Sequence, residues 1–388
     1  MNTVIGGQRA ELKRISDEHP LWTCRLFEAC RAGALDRADF QYIFSQYQLY
    51  SKSFTRFIAA LMANCDSDLY RSILSKNLWE EGGGCEPELR HAEIFRRFLR
   101  DSLAVESPEL VEYDVHTLHF VDEYLQFCTH RPALAVSAFL SLGTEAIVPP
   151  MYQVFITGLL GAGLRDDELE FFKIHVACDD DHAQSLEDLM VSYRGEPGWF
   201  ETCRSALIRA LDLRFAFFEH LIEGLQRRRL RPILRRIDAR ESLCPPAPTP
   251  VMLRHRETDA APALYTSRID AEGIEFSVTR IPLVAEVLDP RRVVVAPGKR
   301  NERHRHAHET FLYFVEGAGQ VEVDGTAVDV GPGDSVLVPR WALHQTTNTG
   351  TGPLRFVAIT DYRLTDRALF GDAKAYRRDE SANQHRRE

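Results

Sequence analysis

Phe172-Lys173-Ile174-His175-Val176-Ala177-Cys178-Asp179-Asp180-Asp181-His182 contains a His-x3-Asp-x2-His run, which sets three metal-binding side chains at i, i+4 and i+7. Those positions share one face of an α-helix. The run lies within an amphipathic stretch, 166–193, whose inward seam reads Phe172, His175, Asp179, His182, Leu186 and Leu189 at alternating steps of three and four. Two imidazoles and a carboxylate at the centre of an apolar seam resist packing unless a positive partner offsets their desolvation, and a bound metal ion is such a partner. A solvated acidic face is the alternative, because Asp179, Asp180 and Asp181 are consecutive; the apolar flanks weigh against it.

Working outward, the pattern from the start to about residue 236 is helical, with long 3.6-period segments and turns marked by Gly or Pro. One helix is expected to begin at Asp36 as N-cap and to bury Phe40, Ile43, Phe44, Tyr47, Phe54, Ile58 and Leu61. Others are expected at about 68–81, 87–101, 110–128, 132–148, 166–193 and 199–229. The reading is an all-α bundle over 1–236, with ligand sites between facing helices. A proline-rich stretch around Cys244-Pro245-Pro246-Ala247-Pro248-Thr249-Pro250 then marks a linker, 237–255. Short alternating or β-branched runs follow at Arg292–Ala296, Phe311–Val315, Gly319–Val323, Ser335–Val338 and Leu354–Thr360, which predict a small β-barrel or sandwich over 256–365. A polar tail, 366–388, closes the chain.

At 388 residues the chain is long enough for two or three domains. Its net charge of -10 disfavours nucleic acid or an anionic membrane surface as a partner, and the locally basic 227–236 reads as a solvated helix end. The first residues have no apolar h-region and nowhere do eighteen apolar residues run together, so a cytoplasmic protein without membrane attachment is expected. The eight cysteines are scattered without a C-x-x-C pair and are expected to be reduced and mostly buried.

A metal centre needs further ligands on neighbouring helices. Trp79-Glu80-Glu81-Gly82-Gly83-Gly84-Cys85-Glu86-Pro87-Glu88-Leu89-Arg90-His91 ends one helix at Glu81, turns through three glycines and starts another in which His91 can face back toward Glu81. Glu145 is the only acid in an apolar helix and is expected to point into the bundle, unless it is a satisfied acid at a helix end. Glu81, His91, Glu145, His175, Asp179 and His182 together offer three carboxylates and three imidazoles, a set that suits iron or manganese better than structural zinc. Tyr47, Tyr50, Lys52 and Arg56 lie on the helix expected to border this pocket.

This order of ligands resembles the heme-oxygenase-like diiron oxidases and oxygenases over about 1–235. The resemblance implies two irons held by those six residues as the catalytic set, dioxygen as co-substrate, an external electron donor and a small-molecule substrate. One departure is visible. Some N-oxygenating members carry a seventh ligand, a Glu on the preceding helix, but 40–65 contains no acid, which leaves an open position or a substitute, Glu80 or Asp180.

In the second half, Gly298-x5-His304-x-His306 with Gly317, and Gly333 through Asn348 with His344, resemble the two cupin motifs. The resemblance implies His304, His306 and His344 converging on one iron or other divalent metal. The usual cupin glutamate falls at Thr310; Glu309 is one residue off and should face away. His308 is a same-face neighbour that could compete, and a barrel that has lost its metal is the alternative.

The pairing of these two domains resembles the N-oxygenases that form nitrosourea and 2-nitroimidazole natural products. It implies oxidation of an amine or guanidine nitrogen, with 2-aminoimidazole to 2-nitroimidazole the leading candidate. N-hydroxylation of an arginine-derived guanidine with rearrangement at the cupin is an alternative. So are diiron carbon oxidation or fragmentation of an amino or fatty acid, a cysteine-dependent hydrolase of the related thiaminase-like bundle, and a metabolite-binding sensor. The full metal-ligand set argues against the hydrolase. Both folds commonly self-associate, so a homodimer is expected.

Overall fold

Asp36 starts the helix around which the bundle is built. Its carboxylate accepts from the Asp39 backbone N–H at 2.9 Å while Asp39 accepts from the Asp36 N–H at 3.0 Å, a reciprocal cap that satisfies two donors otherwise left unpaired. The computed structural model describes residues 2–177, 181–239, 262–283, 285–369 and 377–378. The chain divides into two compact units, Met1–Leu225 and Gln226–Glu388.

The helices are α1 (Asn2–Asp17), α2 (Arg25–Arg31), α3 (Arg37–Asn64), α4 (Asp68–Glu81), α5 (His91–Arg97), α6 (Val115–His130), α7 (Ala133–Leu140), α8 (Val148–Gly161), α9 (Glu170–Ala177), α10 (Asp181–Ser192) and α11 (Trp199–Ala239). The α3 helix packs on α4 and α6, α8 on α2 and α9, and α7 on α10. Phe40, Ile43, Phe44, Tyr47, Ile58 and Leu61 are buried as their spacing predicts, and Phe54 is half-buried. The Phe44 ring lies 5.2 to 6.1 Å from those of Phe40, Phe95, Phe98, Phe155 and Phe172. Each such phenyl stabilises the bundle by roughly 1.5–3 kcal/mol through its burial.

Several segments depart from the simple periodic reading. The expected helix over 87–101 is a 3-10 turn at Pro87–Leu89, then α5, then a π-helical turn at Phe98–Ser102. The expected 132–148 helix is α7 followed by a π-helical turn at Ser141–Glu145. Pro149 and Pro150, just past the expected end of that helix, occupy the first turn of α8, where a missing N–H costs nothing. Residues 178–180 lie outside the described residues, so the expected 166–193 helix is seen as a 3-10 turn at Asp166–Leu169, α9 and α10. The stretch Ala133–Gly161 is long and apolar enough to cross a membrane by length and composition, yet 67% of its most apolar window is buried in the bundle. It forms core here.

The second unit has strands β1 (Tyr265–Ile269), β2 (Ile274–Arg280), β3 (Asp289–Val295), β4 (His304–Arg305), β5 (Thr310–Glu316), β6 (Gly319–Val323), β7 (Thr326–Val330), β8 (Ser335–Val338), β9 (His344–Asn348), β10 (Leu354–Thr360) and β11 (Arg377–Arg378), with helix α12 (Tyr362–Ala368). They form two antiparallel sheets, ordered β1-β2-β3-β10-β5-β8 and β11-β4-β9-β6-β7. Period-two alternation buries Leu354, Phe356, Ala358 and Thr360 along β10, and Thr310, Leu312 and Phe314 along β5. The proline-rich segment 240–261 and most of the polar tail lie outside the described residues.

Candidate metal centres

Glu81 ends α4 and is buried. The chain turns back through Gly83 and Gly84, whose φ angles of 81° and 59° favour glycine. A Cβ on Gly83 would stand 2.5 Å from the Glu86 carbonyl oxygen and 2.6 Å from the Arg90 nitrogen, so this turn excludes side chains twice over. The tight return starts α5 at His91, whose Nδ1 lies 2.7 Å from Glu81 Oε2. From α10, His182 Nδ1 reaches Glu81 Oε1 at 3.2 Å and His182 Nε2 reaches Glu80 Oε2 at 3.0 Å.

His175 comes from α9, with its Nδ1 2.6 Å from the Phe171 carbonyl and its ring 5.1 Å from that of His91. Glu145 stands at the end of the π-helical turn. Glu81, His91, Glu145 and His175 all line one cavity of about 50 Å³, walled mainly by Tyr47, Tyr50, Tyr152 and Phe171. Five of the six expected residues thus meet, His182 through Glu81. Asp179, like Asp180, lies outside the described residues. Glu80, the suggested substitute, is brought to His182.

Electrostatics follow from the contacts. Burial pushes the Glu81 carboxyl up, but hydrogen bonds with His182 and His91 prevail and bring it down to about 2. His182 is lifted to about 9 by its hydrogen bond to Glu81, against burial and with help from Glu80 and Glu145. The donor chemistry fits metal: protons on these imidazoles occupy the places where cations would meet the same carboxylate. Tyr47 and Tyr50 border the pocket, whereas Lys52 donates to the Tyr113 hydroxyl at 3.1 Å and Arg56 is exposed. Sequence reasoning missed Arg214, fully buried behind the pocket wall, whose Nη2 donates to the Tyr50 hydroxyl at 2.8 Å. A single arginine in a long amphipathic helix gives no periodic signal.

In the second unit, β4 pairs with β9 so that His304 stands opposite His344, and His306 follows two residues on. Ring centroids are 4.2 Å apart for His304 and His344, 4.8 Å for His306 and His344, and 5.3 Å for His304 and His306. The Nδ1 atoms contact main-chain carbonyls: His304 with Glu302 at 2.8 Å, His306 with His308 at 2.9 Å and His344 with Ala342 at 2.9 Å. A carbonyl can only accept, so each Nδ1 carries the proton and each Nε2 offers a lone pair. One ligand nitrogen from each histidine lies within 4.8 Å of the others. Burial holds all three imidazoles neutral, taking His306 down to about 2. The set fits a divalent cation.

The histidines line a cavity of about 370 Å³. Thr310 faces it and Glu309 is exposed, as the strand alternation requires, so no carboxylate lines it among the described residues. The His308 ring stacks on His306 at 3.6 Å and also lines the cavity. Arg291 was not singled out from sequence, although its period-two spacing with Val293 and Val295 places it on the same inward face.

Residues 41–215 match the family model of iron-containing redox enzymes related to haem oxygenase, and residues 291–360 match the cupin domain model. The chain joins a helical domain like those of iron-containing redox enzymes to a cupin-like domain. The chain is similar to 4-aminobenzoate synthase of Chlamydia pneumoniae, 27% identical over 188 residues that cover 47% of this chain and 80% of that one. The chain is similar to gentisate 1,2-dioxygenase of a Streptomyces species, at 32% identity over 27% of this chain and 28% of that one. It is also similar to 5-aminosalicylate 1,2-dioxygenase of a Comamonas species, at 31% identity over 30% and 33%. The chain therefore spans a third or less of either dioxygenase.

Proposed function

We propose that the helical domain is a non-haem diiron oxygenase that oxidises the nitrogen of a compact amine. The observation that carries this reading is Glu81, one buried carboxylate held through both oxygens by two imidazoles beside a pocket that also presents Glu145 and His175. Glu81, His91, Glu145, His175, Asp179 and His182 would hold two irons, which supply dioxygen binding and its reduction when bound. In the first turnover one oxygen atom enters an N–H bond of RNH2 to give RNHOH. The other leaves as water, with two electrons and two protons from an external donor.

The chain's own residues contribute confinement. Tyr47, Tyr50, Tyr152 and Phe171 wall the pocket, where aromatic surfaces exclude water and pack against a flat substrate. The close aromatic walls support a compact, flat amine such as 2-aminoimidazole over a long arginine-derived guanidine. Similarity to a 4-aminobenzoate synthase supports an arylamine as a compound the domain handles, as product or as substrate. In the cupin domain, three neutral imidazoles support one divalent metal, iron first, and similarity to two ring dioxygenases supports oxidative chemistry there. A homodimer belongs to the same reading.

The test is mass spectrometry of products from ferrous-loaded protein and an electron donor under isotopically labelled dioxygen. Substrates are 2-aminoimidazole, 4-aminobenzoate and a panel of guanidines. Label on a substrate nitrogen supports the proposal. Oxygen consumption with label only on carbon moves the reading to carbon oxidation, and no consumption at all favours a metabolite-binding protein.

A further inference from the structure

Arg291 is the only charged side chain among the described residues lining the cupin cavity. Its Nε and Nη2 each lie 2.8 Å from Asp289 Oδ2. Asp289 is fully buried and is shared with Arg280, whose Nε stands 2.9 Å from Oδ1. Two guanidiniums thus divide one carboxylate, so the trio carries one net positive charge; Arg291 is its member at the cavity wall and Arg280 its solvent-facing one. Arg291 is fixed there. Tyr362 covers its guanidinium at 5.0 Å, and the same ring meets His308 edge-on at 5.6 Å.

Most of the remaining wall is apolar, with Phe276, Val293, Leu312 and Phe356. Asp289 is shared with Arg280, and no acid lines the cavity among the described residues, Thr310 standing where one would face in. A divalent metal on three neutral imidazoles would add two further positive charges with none cancelled. Uncompensated charge in such surroundings is costly, and an anionic ligand offsets it.

We propose that the cupin cavity binds a small monocarboxylate with an apolar, ring-sized body, its carboxylate seated on Arg291. The inference rests on the metal reading of His304, His306 and His344 only for the metal's share of the attraction. Arg291 fixes the charge of the ligand, and the apolar wall fixes its shape.

The experiment is calorimetric titration of the full chain with benzoate and with its uncharged isostere benzamide, after chelation and again after zinc loading. Benzoate is expected to bind about tenfold or more tightly than benzamide in both states, the scale of one charge-assisted hydrogen bond. Arg291→Gln should erase that preference while Arg291→Lys keeps part of it. Because Arg291→Gln leaves Asp289 with a single partner, the double variant Asp289→Asn/Arg291→Gln removes both charges together and should erase the preference equally. Equal binding of the two probes by the native chain overturns the proposal, as does a preference that survives in both Gln variants. A preference seen only with zinc and indifferent to Arg291 assigns the carboxylate to the metal, overturning this subsite while leaving the metal site standing. Zinc content of His304→Ala reads that metal site separately.

Discussion

Glu81 Oε2 and His91 Nδ1 stand 2.7 Å apart across a helix end, a glycine turn and a 3-10 turn. The contact exists because the chain doubles back within the length of one short turn, and Gly83 is the residue that permits it. Gly83→Ala forces a side chain into a left-handed backbone and against two main-chain atoms. It should cost about 1–3 kcal/mol and reduce iron content by displacing His91. Gly33, at φ +59° with nothing near its missing Cβ, is the control: Gly33→Ala should cost about 1 kcal/mol and leave iron untouched. Urea unfolding with metal analysis measures both, and equal iron loss in the two variants would refute the role given to the turn.

Glu81→Gln and Asp179→Ala should each lower the iron of the helical domain from about two per chain to one or fewer, and abolish oxygen consumption. Full turnover by Asp179→Ala would sink the six-residue assignment.

The metal-free helical site should show a bell-shaped contribution to stability. Glu81 is depressed from 4.5 to about 2, so its contribution is present above pH 4.5 and is lost as pH falls through about 2. His182 is raised from 6.5 to about 9, so its contribution is full below pH 6.5 and is lost as pH rises through about 9. Both act fully between those inner limits. His182→Gln should flatten the alkaline limb by on the order of 1 kcal/mol in urea unfolding with chelator present. An unchanged limb would show that the pair contributes nothing.

Metal uptake should separate the two domains by pH. His182 must release a proton that it holds up to about pH 9, whereas the cupin imidazoles are already neutral at ordinary pH. Zinc affinity of the helical site should therefore climb from pH 6 to 9 by about tenfold or more while that of the cupin stays level. Titrations of Glu81→Gln and His306→Ala isolate each site.

Among the cupin histidines, His306→Ala should abolish metal binding and His308→Ala should retain it. His308 stacks on a ligand ring, but the clustered ligand nitrogens belong to His304, His306 and His344. Zinc stoichiometry of the two variants decides the matter, and loss in both would make His308 a ligand.

Much of this was legible in the chain. The cap at Asp36, the bounds of α4 and the inward face of Thr310 each follow from a local rule that tertiary packing does not override. The start of α8 was not, because Pro149 and Pro150 are equally good at ending one helix and beginning the next. Glu145 stands out in the sequence by its isolation among apolar residues, but the π-helical turn beneath it has no periodic signature. Arg291 sits one residue outside the β-branched run that marked its strand, and Arg214 gains its meaning only from side chains brought to it by folding.

The turn at Ser141–Glu145 closes five-residue rather than four-residue hydrogen bonds, the Ala146 N–H reaching Ser141 at 2.9 Å. It is the structural trace of one extra residue. Removing a single residue there would restore a regular helix and swing Glu145 by about 100° around the axis, out of the pocket. A homologue could keep every ligand of the motif and still be inert for want of one residue of spacing, so ligand identity alone is a poor guide to which relatives are active.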